Sequence, residues 1–162
     1  MKKRIGTADA LARLEALCAR SEQCSYEIKQ RLWRWGICGD AADEILDMLT
    51  DGRYVDDSRY AESFVRDKYR FARWGRVKIR MSLAAKRIPR DVIDEAMSAI
   101  DSREYVSMAY RTVCAKLRQL PADMSRAEMR TRLLRFAMGR GYESALIVRI
   151  LDSRRLWHQE DC

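Results

Sequence analysis

The sequence predicts an all-α protein, an elongated tandem array of three three-helix repeats. Three observations carry that reading: apolar residues recur at helical period throughout, no stretch reads as a strand, and the chain repeats itself. At a shift of 51 residues Ile28, Leu32, Ile37, Ile45 and Leu46 fall on Ile79, Leu83, Ile88, Ala96 and Met97. A further shift of 54 reaches Leu133, Ala137, Tyr142, Ile150 and Leu151. Spacing from second to third helix is kept without gaps, which chance between amphipathic helices does poorly. The repeats are placed at 1–52, 53–101 and 102–152, with a tail at 153–162 expected to fray. One such unit buries too little to stand alone, so neighbours are expected to share a core.

Helices are expected near 7–20, 25–35, 40–50, 57–73, 76–87, 90–100, 102–118, 125–138 and 143–152. Thr7, Ser25, Asp40, Asp57, Asp101 and Ser125 are competent N-caps, because short polar side chains accept from unpaired first-turn N–H groups. Breaks follow at Gly36/Gly39, Gly52, Gly75, Pro89, Pro121 and Gly139/Gly141. Ile79, Leu83 and Ile88 belong inside the middle repeat, as Ile28 and Leu32 do in the first. In the fourth helix Tyr60, Ala61, Phe64 and Phe71 share the apolar face. Arg59, Arg66, Arg70 and Arg73 lie opposite on a stripe about 60° wide, and Arg76, Arg80 and Arg87 make one of about 40° on the fifth. Trp33 and Trp35 cannot both face inward, so one of them belongs at the surface.

The 162 residues carry 32 Lys and Arg against 24 Asp and Glu, a formal charge of +8. The excess is uneven: 8 basic and 9 acidic groups in 1–52, 12 and 8 in 53–101, 12 and 7 in 102–162. Residues 66–90 hold 10 basic groups and one acidic, with Tyr69, Phe71 and Trp74 interleaved. Phosphates or acidic side chains suit such a segment, since a guanidinium pairs with two oxygens at once. Arg66, Arg70, Arg73, Arg76, Arg80 and Arg87 are therefore candidate contacts as a group, although any single one reads better as a solvated helix face. Arg130 joins them from a second basic run that includes Arg126, Arg132, Arg135 and Arg140.

Other classes are excluded. The five cysteines form no CxxC and the one histidine is His158, so no zinc set, metal or cofactor is expected, and the thiols are expected to be reduced. No GxSxG, Walker-type loop or nucleophile near a histidine suggests an enzyme. No apolar window approaches the ~18–20 residues that span a membrane. Asp9, Arg13 and Glu15 interrupt any signal-like run, so a cytoplasmic protein is expected. Asp56 and Asp57 read as a helix cap rather than an acid–base pair. Arg59 is expected to pair with Asp56.

Residues 54–64, Tyr54-Val55-Asp56-Asp57-Ser58-Arg59-Tyr60-Ala61-Glu62-Ser63-Phe64, resemble the DD-x-R-x-A-x-x-(F/Y) signature of the RecX family of bacterial recombinase regulators. Gly75, Ile79, Leu83 and Ile88 are similar to its G-x-x-x-I-x-x-x-L-x-x-x-x-I segment. Glu27-Ile28, Leu32 and Trp35-Gly36 resemble its EL-x-x-x-L-x-x-x-G pattern. Gly139-Arg140-Gly141-Tyr142, with Ile147 and Leu151, looks like its RRGF element and closing helix. Three departures stand out. Cys24 replaces the usual serine before the first pair, so Ser25 is expected to cap; Arg76 follows Gly75 where proline is common; residues 121–127 form a longer break. The resemblance implies three-helix modules that lie in the groove of a RecA–DNA filament and inhibit strand exchange and ATP hydrolysis. Recombination, DNA repair and the SOS response would be modulated by a monomer with no catalytic residue and no membrane contact, with single- or double-stranded DNA as a further candidate partner. The alternative reading of the residues is a helical array that binds DNA directly, without RecA.

Overall fold

The computed structural model describes residues 5–158, which form ten α-helices and no strand. They are α1 (Thr7–Cys18), α2 (Ser25–Arg34), α3 (Asp40–Asp51), α4 (Asp57–Arg70), α5 (Arg76–Ala85), α6 (Arg90–Ser98), α7 (Ser102–Leu117), α8 (Arg126–Gly139), α9 (Ser144–Asp152) and α10 (Arg154–His158). The first nine lie within three residues of the expected ranges. Asp101 and Ser125 cap as their chemistry predicts. Asp101 accepts from the Arg103 and Glu104 N–H groups, and Ser125 closes a capping box with Glu128.

The tail and the end of α4 depart from expectation. The tail folds into α10, because Leu156 is fully buried and the Trp157 indole donates to the Leu151 carbonyl at 2.8 Å. The remainder of that tail, with Cys162, lies outside the described residues. Helix α4 stops at Arg70 because Arg73 takes a φ of 53° and the Trp74 N–H turns back to Lys68 O at 2.9 Å. Phe71 is thereby turned outward, 81% exposed, instead of joining the apolar face. Arg73 sits on the turn rather than on the helix stripe.

The repeat is visible in the backbone itself. Gly36, Arg87 and Gly141, which align at the two shifts, have φ of 80°, 58° and 89°. In each case the next N–H reaches back across the helix end: Ile37 to Leu32 O at 2.9 Å, Ile88 to Leu83 O at 3.2 Å, Tyr142 to Ala137 O at 3.1 Å. Three second helices thus end in the same left-handed turn, which satisfies carbonyls the helix leaves open. Among the aligned apolar residues Leu46 alone is half-buried and the others are buried.

The chain divides into two compact units. The first contains the described part of Met1–Phe64 together with Leu83–Ala96. Helix α3 packs on α1 and α2 there, around Leu14, Ile28, Leu32, Ile45 and Leu49. Trp35 packs against this core while Trp33 is 69% exposed, as the helical geometry requires. The second unit contains Val65–Ser82 and the described residues from Met97 onward. Helices α7, α8 and α9 pack on one another, and buried residues include Tyr105, Val113, Leu133, Ile147 and Leu151.

Cys18, Cys24 and Cys38 carry free thiols, and burial pushes the Cys24 pKa up to about 11. Cys114 is disulfide-bonded, against the expectation of uniformly reduced thiols. Cysteine spacing along the chain carries no signal for that bond.

Candidate partner-binding surface

The double-aspartate motif is architectural, and its two carboxylates serve different helices. Asp56 Oδ1 accepts from the Ser58 and Arg59 N–H groups at 2.9 and 3.0 Å, capping α4. Asp57 Oδ1 accepts from the Ser25 N–H at 2.7 Å, so α2 receives its cap from α4. Neither Cys24 nor the Ser25 hydroxyl supplies it. Arg59 pairs not with Asp56 but with Glu22, Nε to Oε1 at 2.7 Å, and donates to Arg53 O at 3.1 Å. Ala61 is buried, and Phe64 lies half-buried with its ring 5.9 Å from that of Tyr60. Glu27 receives both Lys86 and the Tyr60 hydroxyl, and burial pushes the Tyr60 pKa up to about 12.

In the second unit the turn between α4 and α5 is clamped by residues 140–142. The Gly75 N–H donates to Arg140 O at 2.8 Å and the Val77 N–H to Gly141 O at 3.0 Å. In return Arg140 Nη1 donates to Ala72 O at 3.0 Å, and the Tyr142 hydroxyl to Arg73 O at 3.1 Å. Arg76, the first residue of α5, turns inward. Its Nη2 lies 3.3 Å from both Ile100 O and Ser102 Oγ, and its guanidinium sits 4.2 Å above the Tyr105 ring. The Tyr105 hydroxyl accepts the Arg76 N–H at 3.0 Å and donates to Glu143 Oε2 at 2.5 Å. Burial, then the bond to Glu143, raises the Tyr105 pKa far above its ordinary value.

This scaffold presents a basic and aromatic surface. Arg70, Phe71 and Arg73 are exposed, and the half-buried Trp74 has Lys78 Nζ at 4.3 Å and Lys68 Nζ at 5.0 Å from its ring. Arg80 is exposed on α5, and exposed Arg66 lies beside Asp67 at 3.7 Å. Arg87 belongs to the first unit, where its guanidinium is 5.5 Å from the Tyr26 ring. Arg130 forms an ion pair with Asp152 at 2.8 Å. Of the seven candidate arginines, therefore, Arg70 and Arg73 stand at the clamped turn, Arg80 follows on α5, and Arg76 holds structure. Lys68, Lys78 and Arg140 complete the cationic rim; the interleaving of basic and aromatic residues was the signal for the two lysines, and the basic run at 126–140 for Arg140.

Chemically, such a surface pairs with phosphates or carboxylates and offers aromatic faces for stacking. Among the described residues no group of His, Cys, Asp and Glu is arranged to hold a metal, and no helix is long and apolar enough to cross a membrane.

A family profile described as the second three-helix domain of RecX matches residues 56–97. Regulatory protein RecX of Prosthecochloris aestuarii is 30% identical over 147 residues, covering 90% of this chain and 93% of that protein. Regulatory protein RecX of Clostridium botulinum is 30% identical over 76% of this chain and 58% of its own length. That of Lactococcus lactis is 26% identical over 75% and 46%. The chain thus spans about half the length of several curated relatives it matches. The crystal structure of RecX from Lactobacillus salivarius superposes with a TM-score of 0.71 at 21% identity, covering 89% of this chain and 96% of that one. A second crystal structure of regulatory protein RecX has the same TM-score over 91% of this chain and 74% of that one. Those two likenesses concern the fold.

Proposed function

The chain belongs to the RecX family of regulatory proteins, and on that premise we propose that it inhibits a RecA recombinase by binding the RecA–DNA filament. Strand exchange and ATP hydrolysis by the filament are the activities it lowers, and it does so by occupancy, without chemistry on a substrate. One observation supports the placement of the contact: the clamped turn displays Arg70, Phe71 and Arg73 outward on a rigid support. A filament of nucleic acid and protein offers both phosphates and acidic side chains to such a surface, and attraction raises the rate of encounter.

The test is a RecA-dependent strand-exchange assay with the triple variant Arg70→Glu, Arg73→Asn, Arg80→Glu. Asparagine is chosen at 73 because it tolerates the left-handed backbone. Inhibition is expected to disappear with helical circular dichroism unchanged. The control, Arg13→Glu with Arg20→Glu in the first unit, is expected to inhibit normally. Full inhibition by the triple variant would place the contact elsewhere, and equal loss in both would reduce it to net charge.

A second reading, direct binding of DNA without RecA, draws support from the lysines flanking Trp74 beside exposed Phe71. Affinity resting on phosphates falls steeply with salt. Inhibition that persists at salt where binding to free DNA is lost favours the filament, and inhibition that vanishes together with DNA binding favours the second reading.

A further inference from the structure

A groove of about 680 Å³ opens in the second unit along α7 and α9. Arg103, Val106, Tyr110 and Arg111 line it from α7, and Arg149 and Ile150 from α9. The α7 residues recur at steps of three, four and one, the spacing of one helical face. Among the described residues no carboxylate lines the groove. Two nearby acids are engaged elsewhere, Glu143 by the Tyr105 hydroxyl and Asp152 by Arg130. Val106 leaves 43% of its surface in water, so the lining combines an exposed apolar residue with arginines.

We propose that this groove docks an acidic amphipathic helix of a partner protein. Two helices side by side form a trough into which the ridge of a third can pack. The apolar edge of an incoming helix covers Val106, and its carboxylates meet Arg103, Arg111 and Arg149. A nucleic acid backbone would satisfy the arginines yet leave Val106 wet. Nor does the groove offer an open stacking face, since the Arg155 guanidinium sits 5.2 Å from the Tyr110 ring. None of these residues belongs to the α4–α5 turn, so the groove is a second surface, and its test is independent of strand exchange.

Fluorescence anisotropy of the full chain provides that test, with three labelled probes. They are an amphipathic Leu/Glu peptide of about five helical turns, the same peptide with Gln for Glu, and an oligothymidylate. The Glu peptide is expected to bind at least about tenfold tighter than the Gln peptide. Arg103→Glu with Arg149→Glu is expected to weaken the Glu peptide by about tenfold or more and to leave the oligonucleotide within about twofold. Should that variant lose helical circular dichroism, Arg103→Gln with Arg149→Gln is read in its place. Unchanged peptide affinity in the variant, or equal affinity for the Glu and Gln peptides, overturns the proposal. Parallel loss of the oligonucleotide overturns it too, and makes the groove a phosphate track.

Discussion

Gly75 and Gly141 meet backbone against backbone: a Cβ on Gly75 would stand 2.2 Å from the carbonyl carbon and oxygen of Gly141. Gly141 is equally confined, since a Cβ there would come 2.2 Å from Lys78 Cβ, and its φ is 89°. Two motifs 66 residues apart in the chain are therefore one structural device. Its product is the rigid turn that carries Arg70, Phe71 and Arg73.

Gly75→Ala is expected to destabilise the protein by about 1–3 kcal/mol through overpacking. Gly141→Ala adds a left-handed penalty of about 1–2 kcal/mol to a comparable clash. Gly36→Ala, with open space around it and a φ of 80°, isolates the backbone penalty alone. Thermal denaturation should order the three as Gly141, then Gly75, then Gly36, and equal losses would mean that the glycine pair does not touch.

The aspartates should separate by location. Asp57→Ala leaves the Ser25 N–H without its carboxylate and is expected to cost about 1–2 kcal/mol, with faster hydrogen exchange in the first turn of α2. Asp56→Ala should cost about 1 kcal/mol and accelerate exchange at Ser58 and Arg59 instead. Exchange that rose in α4 for both variants would contradict the crossed cap.

Arg76 and Tyr105 are predicted to govern stability. Tyr105→Phe removes the acceptor of the Arg76 N–H and the donor to Glu143, and should cost about 1–3 kcal/mol. Arg76→Ala should likewise lower the urea midpoint, whereas Arg70→Ala at the surface should stay within about 0.5 kcal/mol. Equal midpoints for Arg76→Ala and Arg70→Ala would mean that the inward contacts of Arg76 carry nothing.

Alkaline pH should destabilise the protein. Burial raises the Cys24 thiol from 9.0 to about 11 and the Tyr60 hydroxyl from 10.0 to about 12. Tyr69 and Tyr142 are raised in the same direction by the same cause. Above the ordinary values the unfolded chain has released these protons while the folded chain still holds them, so stability falls as pH rises. That contribution is complete below 9.0 and is lost progressively up to about 12. Urea unfolding across the alkaline range should show a falling midpoint, with Tyr60→Phe flattening the upper part of the fall. A midpoint constant through this range would contradict the buried setting of Tyr60.

The apolar repeat was legible because each aligned residue lies on a helix face that local spacing defines. Ile79, Leu83 and Ile88 are buried where the pattern puts them, and so are Ile28 and Leu32. Individual side chains were less legible. Phe71 kept the phase of its helix in sequence but lies past the helix end at Arg70, in the turn that Arg73 reverses. Arg59 had a carboxylate three residues away, yet Glu22, 37 residues distant, has the better geometry.

Helix starts, the breaks at Gly36 and Gly141 and the basic middle segment follow from the order of residues, because period, capping and turn chemistry act within a few residues of one another. Which arginine faces water and which holds the fold was settled by packing. Arg70 and Arg76 are alike as residues in a basic run. Arg76 meets Ile100, Ser102 and Tyr105, which come near it only once α7 has docked, while Arg70 stays exposed on α4. Partners separated by tens of residues are chosen by the shared burial of helices, and no local pattern contains that information.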